Sequence, residues 1–176
     1  LTSVTTPATI STIGFGAFCD CSGLQQVTIK AGFVGESAFI RCTALRTVTV
    51  GSGVTGFGIS AFENCPGLTG VYISDLAAWC RIDFGGYLSN PLYGAKRLYL
   101  NDVELTDLQI PDGVTAISDY AFGDALSITS VTVPASVQRI GDYAFYQCSN
   151  IRTVNLPTSG LNRIGASAFD SCTNLG

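Results

Sequence analysis

Cysteine offers the most chemistry in this sequence, because seven cysteines occur among 176 residues and histidine is absent. Without histidine the chain lacks the Ser-His-Asp and Cys-His catalytic groups and the commonest protein ligand of transition metals. Five cysteines recur at one position of a repeated motif, where Ala125 stands once instead: Cys21, Cys42, Cys65, Cys148 and Cys172. Alanine can replace a small buried side chain but not a metal ligand. We therefore expect buried free thiols and no metal site, with Cys19 as the most exposed thiol.

A disulfide between cysteines of adjacent coils is the alternative. Coils stacked about 5 Å apart would just permit the bond. The cysteine spacing fits no zinc pattern, and the odd count leaves a thiol unpaired in any disulfide scheme.

Paired carboxylates are the remaining catalytic possibility, as in glycoside hydrolases. Acidic residues occur in and just after one irregular segment at Asp75, Asp83, Asp102 and Glu104, but none recurs and no motif places two of them across a cleft. We therefore predict a protein that is not an enzyme and needs no cofactor. The net charge of −4, with 9 Lys and Arg residues, provides no basic stripe for nucleic acid. No apolar run approaches the ~18 residues of a membrane span.

Aromatic side chains crowd the same irregular segment, residues 74–101, which we call the insert. They are Trp79, Phe84, Tyr87, Tyr93 and Tyr99, and Tyr72 lies on the strand just before them. Amphipathic rings on an irregular loop are common at recognition sites. We expect Trp79 and Phe84 to fill the core where the repeat is lost. The candidate ligand contacts among these aromatics are Tyr72, Tyr87 and Tyr99.

A motif that recurs about every 23 residues, a period typical of solenoids, positions these side chains. Its template is Ile128–Cys148, ITSVTVPASVQRIGDYAFYQC. Val131 and Val133 point to the same side of a short strand. We predict one short helical turn over Tyr143–Gln147, capped by Asp142. A coil of this kind has an apolar side that only stacked copies can bury.

Copies of the motif cover nearly the whole chain, and we predict one repeat domain over residues 1–176 with about seven coils. An Ala-Phe pair marks six copies, and its phenylalanines should stack as a ladder through the core: Phe18, Phe39, Phe62, Phe122, Phe145 and Phe169. The chain has no methionine, and both ends cut through a repeat. We therefore expect it to be a piece of a longer protein.

The insert departs from the motif, and its sequence predicts three local structures. Ser74 or Asp75 can cap a short helix. Residues 81–84 alternate like a strand. Residues 98–105 predict a hairpin whose turn is Asn-Asp.

The motif resembles the BspA-like leucine-rich repeats found in bacterial surface antigens and some protist surface proteins. The strand segments that carry the resemblance include LQQVTI, LRTVTV and ITSVTVP, and the turn segments include GESAFIRC, GDYAFYQC and GASAFDSC. The resemblance implies a curved solenoid with parallel strands on one face and short helical or 3-10 turns on the other. It also implies a secreted or surface-anchored bacterial protein that works by binding or adhesion, without shared catalytic residues.

The outward side chains of the predicted strands form a surface that we call the strand face. Together with Tyr87 and Tyr99 of the insert, they are the candidate ligand contacts: Gln26, Thr28, Thr47, Thr49, Tyr72, Asp107, Gln109, Ser130, Thr132, Thr153 and Asn155. This face is nearly neutral and rich in hydrogen-bonding groups, which suits a protein or glycan ligand.

We predict an extracellular or cell-surface binding and adhesion module. The concave strand face would recognise a protein or glycoprotein such as one of a host matrix, and we expect the module to act as a monomer. A structural spacer within a surface protein is one alternative. A carbohydrate-binding module that uses the insert aromatics is the other.

Overall fold

The computed structural model describes all 176 residues as a β-solenoid of about seven turns with a spacing of about 23 residues, which confirms the predicted fold class. Its strands are β1 (Ser3–Thr5), β2 (Thr12–Ile13), β3 (Gln26–Val34), β4 (Thr47–Phe57), β5 (Gly70–Ile73), β6 (Asp83–Phe84), β7 (Leu98–Leu100), β8 (Val103–Glu104), β9 (Asp107–Gln109), β10 (Ala116–Ile117), β11 (Ser130–Thr132), β12 (Arg139–Ile140), β13 (Thr153–Asn155) and β14 (Arg163–Ile164). The helices are α1 (Leu76–Trp79) and α2 (Leu92–Ala95), with a 3-10 turn at Tyr87–Ser89, and all of them lie in the insert.

The first strand of each coil pairs in parallel with the first strand of the next coil. In the order β1, β3, β4, β5, β7, equivalent residues stand in register, so that Val48 lies between Val27 and Val71. A separate parallel sheet, in the order β9, β11, β13, occupies the same motif position beyond the insert. Strand β8 pairs antiparallel with β7, which confirms the predicted hairpin and ends the first sheet.

A second strand in each coil forms a further set of parallel ladders. Strands β2 and β6 flank the later halves of β3 and β4, and β10, β12 and β14 form their own sheet. The strand predicted over residues 81–84 is shorter, because only Asp83–Phe84 pairs, with Gly56–Phe57 of β4. The insert therefore supplies the second strand of its coil, after α1.

The turn segments contain hydrogen-bonded turns instead of the helix predicted over Tyr143–Gln147. Tyr143 and Gln147 have φ of 57° and 58°, which a right-handed helix does not allow. The Phe145 amide donates to the Ala168 carbonyl of the next coil at 2.8 Å, and the Tyr146 amide donates to Tyr143 at 3.1 Å. Alternate amides thus bond to the next coil and to their own turn, with i→i+3 bonds of the 3-10 type.

Asp142 does not cap a helix, as the sequence predicts, but bonds to the following coil. Its carboxylate accepts from the Ala166 amide at 3.0 Å and from Arg163 at 2.8 Å, both in the following coil. Asp119 makes the same connection one coil earlier, since it accepts from the Asp142 amide at 2.8 Å and from Arg139. These aspartates hold coils together and do not start a helix.

The phenylalanines form two ladders of three rings. The rings of Phe39 lie 5.1 Å from Phe18 and 5.3 Å from Phe62, and those of Phe145 lie 5.3 Å from Phe122 and 5.0 Å from Phe169. All four pairs are nearly parallel, with interplanar angles of 3–9°. The coil that carries the insert has no Ala-Phe pair, so the predicted single ladder is interrupted there.

Trp79 and Phe84 fill that gap, as predicted. The Trp79 side chain is 1% exposed, and its indole Nε1 donates to the Ala121 carbonyl at 2.9 Å. The ring of Phe84 lies 5.4 Å from Trp79 and 5.7 Å from Phe57. The core cluster therefore runs on through the insert.

Polar residues of the insert hold its irregular backbone in place. Asp75 caps α1 by accepting from the Ala78 amide at 2.8 Å. Asn90 is buried, donates to the Tyr120 carbonyl at 2.8 Å and accepts from the Leu92 amide at 2.9 Å. The Asn90 side chain thus ties the insert to the next coil and satisfies backbone groups on both sides.

Candidate ligand-binding surfaces

The hairpin β7–β8 divides the strand face into two patches. The first patch carries Gln26, Thr28, Thr47, Thr49, Tyr72 and Tyr99 on β3, β4, β5 and β7. The second patch carries Asp107, Gln109, Ser130, Thr132, Thr153 and Asn155 on β9, β11 and β13. The structure therefore brings the predicted contacts together as two separate groups.

The first patch consists of two in-register rows. Thr28, Thr49 and Tyr72 stand side by side in one row, which Tyr99 extends. Tyr72 and Tyr99 stack with ring centroids 4.6 Å apart and an interplanar angle of 9°. In the other row Gly70 follows Thr47, and a Cβ there would lie 2.9 Å from the Tyr72 ring. The missing side chain lets the tyrosines lean across the row.

Hydrogen bonds between side chains order the second patch. Asp107 accepts from Ser130 and from Gln109, the latter at 3.0 Å. Asn155 donates to Thr132 at 3.3 Å. The bonds from Ser130 and Gln109 hold the pKa of Asp107 below its usual value, because they favour the ionised carboxylate.

Tyr87 lies apart from both patches, in a cluster of tyrosines on the turn segments. Its ring makes edge contacts with Tyr93 at 4.9 Å and with Tyr146 at 5.4 Å. Tyr143 lies edge-on to Tyr146 at 5.6 Å and stacks on Tyr120 at 5.2 Å. The tyrosine cleft, as we call it, has a volume of about 240 Å³ and is lined by Tyr87, Tyr120, Tyr143 and Tyr146.

Sequence reasoning missed most of this cluster. Tyr120 and Tyr143 occupy the same motif position in SDYAF and GDYAF, which is the available signal, and the helical interpretation of that segment obscured it. Sequence proximity also grouped Tyr87 with Tyr72 and Tyr99, although the fold separates them.

A charge pair with a buried carboxylate lies beside the tyrosine cleft. Asp124 is 2% exposed, and one of its carboxylate oxygens pairs with Lys96. The other oxygen, Oδ2, is buried and has no hydrogen-bond partner. Burial raises the pKa of Tyr87, and the neighbouring Asp124 carboxylate raises it further. The Lys96 ammonium lies 5.1 Å from the centre of the Tyr93 ring.

The largest cavity is a groove that α2 borders on one side. It has a volume of about 690 Å³, and we call it the insert groove. Its polar lining comes from equivalent turn positions of successive coils and includes Asp20, Ser22, Arg41, Thr43 and Asn64. Arg41 makes two hydrogen bonds to Asp20, both at 2.6 Å, which lower the pKa of Asp20 to about 2. Tyr93 and Gly94 of α2 form the opposite wall.

The residues that could do chemistry have structural partners instead. All seven cysteines are free thiols, and four of the five repeated ones donate to the phenylalanine carbonyl of the preceding coil, as Cys148 does to Phe122 at 3.0 Å. Burial raises the pKa of Cys42 to about 12 and that of Cys65 to about 11. Among the acidic residues in and just after the insert, Asp75 caps α1 and Glu104 pairs with Arg97. No cluster of three or more metal-ligating side chains occurs.

Fold and surface together define a leucine-rich repeat protein in which an insert interrupts the array. The chain belongs to the BspA type leucine-rich repeat family, whose repeat region matches it in six copies over residues 1–78 and 95–176. This match confirms the resemblance inferred from the motif. The unmatched residues 79–94 are the part of the insert that contains Trp79, Tyr87 and Tyr93. No curated protein sequence matches the chain.

Solved bacterial structures share the fold. The leucine-rich repeat protein of T. pallidum is 23% identical with a TM-score of 0.58, and the alignment covers 99% of this chain and 78% of that one. A leucine-rich repeat protein from Eubacterium ventriosum is 21% identical with a TM-score of 0.60, over 97% of this chain and 42% of that one. None of the helices in the chain is long and apolar enough to cross a membrane.

Proposed function

We propose that this chain is a non-catalytic extracellular binding or adhesion module that recognises a protein or glycoprotein ligand through its strand face. Membership of a leucine-rich repeat family is consistent with a binding or structural module, and repeat solenoids commonly bind partners on an extended surface. The observation that carries the proposal is the in-register array of small hydrogen-bonding side chains on two parallel sheets. None of these side chains lines either the insert groove or the tyrosine cleft.

A protein suits this surface better than a small molecule does. Small ligands need concave pockets, whereas a protein interface buries about 800 Å² on each partner and tolerates a flat surface. Asp107 is the only charged residue among the twelve contacts of the two patches, so hydrogen bonds and aromatic contacts would provide the specificity. The stacked Tyr72 and Tyr99 would be the aromatic anchor of the first patch.

The experiment measures binding of the chain to an array of matrix proteins and serum glycoproteins, followed by single substitutions on each patch. Thr49→Lys places a charge in the first patch, and Gln109→Lys and Thr132→Lys place one in the second. Thr55→Lys is the matched control, because Thr55 is exposed on the later half of the same strand β4, outside the strand face.

We expect a saturable ligand whose binding falls at least about tenfold in one or more patch variants and not in Thr55→Lys. Unaltered melting temperatures would show that the variants remain folded. Binding that survives all three patch substitutions would contradict the proposal. The absence of any saturable ligand would favour a structural spacer.

A further inference from the structure

We propose that a pocket beside the second strands of the first coils binds an arginine side chain of a protein partner, at the place where later coils hold an arginine of their own. This pocket, which we call the lateral pocket, has a volume of about 360 Å³, and its lining includes Phe33, Glu36, Ile59 and Asp83. It shares no residue with the strand face, so the inference goes beyond the function proposed above and does not depend on it.

Ion pairs between neighbouring coils occupy two motif positions in the later part of the solenoid. Arg139 and Arg163 begin the second strands β12 and β14, where they stand in register with each other. Arg163 donates to Asp142 at 2.8 Å, and Arg139 pairs with Asp119 in the same way. Each aspartate follows the second strand of its coil by two residues. An arginine of one coil thus lies against a carboxylate of the coil before it.

The first coils keep the carboxylate at this place but lack the arginine. Glu36 follows β3 by two residues, as the aspartates of the later coils follow their strands. At the arginine position of the next coil stands Gly56, which pairs in register with Phe33. A Cβ at Gly56 would lie 2.8 Å from the Asp83 carbonyl oxygen and 3.0 Å from the Phe33 ring. The chain therefore cannot place a side chain of its own beside Glu36 from this position.

Two unpaired carboxylates consequently line the lateral pocket. Asp83 occupies the arginine position one coil further on and, like Glu36, lines the pocket. Neither carboxylate takes part in any ion pair of the chain, and Arg81, two residues before Asp83, takes part in none either. Charge complementarity at an interface places a positive group of the partner against such a pair.

The aromatic wall of the pocket favours arginine over lysine. Phe33 is 39% exposed and lines the pocket together with both carboxylates. A guanidinium is planar, stacks on aromatic faces and donates two parallel hydrogen bonds to a carboxylate, whereas an ammonium is a strongly hydrated point charge. The partner's guanidinium would therefore lie against the Phe33 ring and donate to Glu36 and Asp83.

Exposed apolar side chains beside the pocket favour a polypeptide over a free cation. Phe15, Glu36 and Ile59 stand in neighbouring coils at one motif position, since the Gly16 amide donates to the Glu36 carbonyl and the Ser37 amide to the Ile59 carbonyl, both at 3.0 Å. Phe15 is 77% exposed and Ile59 is 57% exposed. Large apolar side chains grouped around a polar site are typical of protein contact surfaces. The occupant is therefore a segment in which apolar residues flank the arginine.

The test titrates the ¹⁵N-labelled chain with acetylated, amidated pentapeptides whose central arginine is flanked on each side by Ile, Leu, Phe or Val, and follows the amide chemical shifts. Matched peptides carry citrulline or lysine instead of arginine. We expect at least one arginine peptide to give saturable shifts at Phe33, Glu36, Ile59 and Asp83, with the strand-face amides unaffected. Its citrulline counterpart, which has the same shape without the charge, should bind at least about tenfold more weakly, and its lysine counterpart at least about threefold.

Substitutions then test the contacts of the arginine peptide that binds. Glu36→Gln, Asp83→Asn and Phe33→Ala should each weaken its binding at least about threefold. Asp112→Asn is the matched control, because it removes an exposed carboxylate that also lacks an ion pair but lies outside the pocket, and binding should be unchanged.

The proposal is overturned if no arginine peptide binds, if the citrulline peptide binds equally well, or if the shifts map outside the lateral pocket. The unmodified chain gives these three results, so they do not depend on whether any variant folds. Shifts at the pocket that change with the concentration of the chain alone would assign it to a second copy of the chain and would also overturn the proposal.

Discussion

Coils approach each other so closely after their second strands that only glycine fits, and the substitution Gly141→Ala tests this. Gly141 follows β12, and its φ lies outside the left-handed region, so its backbone conformation allows alanine. An added Cβ would lie 2.5 Å from the amide nitrogen of Asp119 and 2.6 Å from the carbonyl carbon of Ser118, both in the preceding coil. Because these are backbone atoms, no side-chain rotation relieves the contact, and the coils must move apart.

The expected loss of stability follows from that contact. Overpacking usually costs about 1–3 kcal/mol, and a clash with backbone belongs at the upper end of this range. Separation of the coils also strains the bond from the Gly141 amide to the Ile117 carbonyl, which is 2.9 Å long. We expect Gly141→Ala to lower the free energy of unfolding by about 3 kcal/mol, which corresponds to a melting temperature roughly 6–12 °C lower in a chain of this size.

Gly14→Ala is the matched control, because Gly14 occupies the same motif position in the first coil and a Cβ there would meet no atom within 4 Å. Alanine restricts the unfolded chain, so this variant should be unchanged or more stable by up to about 1 kcal/mol. Urea denaturation followed by circular dichroism measures both variants, and unchanged m-values would show that both unfold to the same extent. Equal stability of Gly141→Ala and Gly14→Ala would refute the argument from coil spacing.

Other features of the fold predict further outcomes. In the native state only Cys19 and Cys21, the two thiols that are not fully buried, should react with a thiol reagent at pH 8. All seven thiols should react after denaturation without reductant. A third reactive thiol in the native state would contradict the burial of the repeated cysteines. Asp20 should titrate by NMR near its pKa of about 2. Its ion pair with Arg41 is therefore fully present above the unfolded pKa of 3.8 and is lost as the pH falls toward 2. Arg41→Ala should return the pKa of Asp20 toward 3.8, and an unchanged pKa would refute the pairing. Trp79→Phe should lower the free energy of unfolding by about 1–3 kcal/mol in urea denaturation, because it leaves a cavity and removes the hydrogen bond to the Ala121 carbonyl. A loss below about 0.5 kcal/mol would show that the insert does not support the core.

The features predicted correctly from sequence are those whose cause lies within one copy of the motif. Val131 and Val133 alternate with polar residues, so the strand and its inward face can be deduced from a few neighbours. The hairpin at 98–105 and the cap at Asp75 are equally local. Trp79 and Phe84 were assigned to the core because the insert lacks the Ala-Phe pair, and the structure places them there.

The turn segments could not be predicted in this way, because their hydrogen bonds cross between coils. Tyr143 and Gln147 adopt left-handed backbone conformations without being glycine or asparagine, and each amide donates to the next coil. A capping aspartate with a short apolar run ordinarily indicates a helix. When the coils stack, alternate amides of each turn donate to carbonyl groups of the next coil. The sequence of one copy of the motif gives no indication of these hydrogen bonds. The prediction that Asp142 caps a helix is wrong for the same reason, because its carboxylate bonds to the next coil.

The candidate surfaces show the same division between local and long-range causes. The strand-face residues follow from alternation within a strand, but their division into two patches depends on where the hairpin β7–β8 lies. Tyr87 joins Tyr120 and Tyr143 because Trp79 and Asn90 fasten the insert to the next coil. The division into two patches has no signal in the residues that form it, and for the tyrosine cluster the one signal is the motif position that Tyr120 and Tyr143 share.

The insert therefore has opposite effects on the two faces. On the strand face it ends the first sheet at β8 and leaves the repeat surface discontinuous. On the turn segments it adds Tyr87 and Tyr93 to tyrosines that the repeats supply, and it borders the largest cavity. Ser118 stands where other coils have the spacing glycine, and its amide donates to the Cys80 carbonyl of the insert coil at 2.9 Å. Both the insert groove and the tyrosine cleft are lined in part by residues of the insert, so the irregular segment shapes the turn side of the solenoid as much as the strand face.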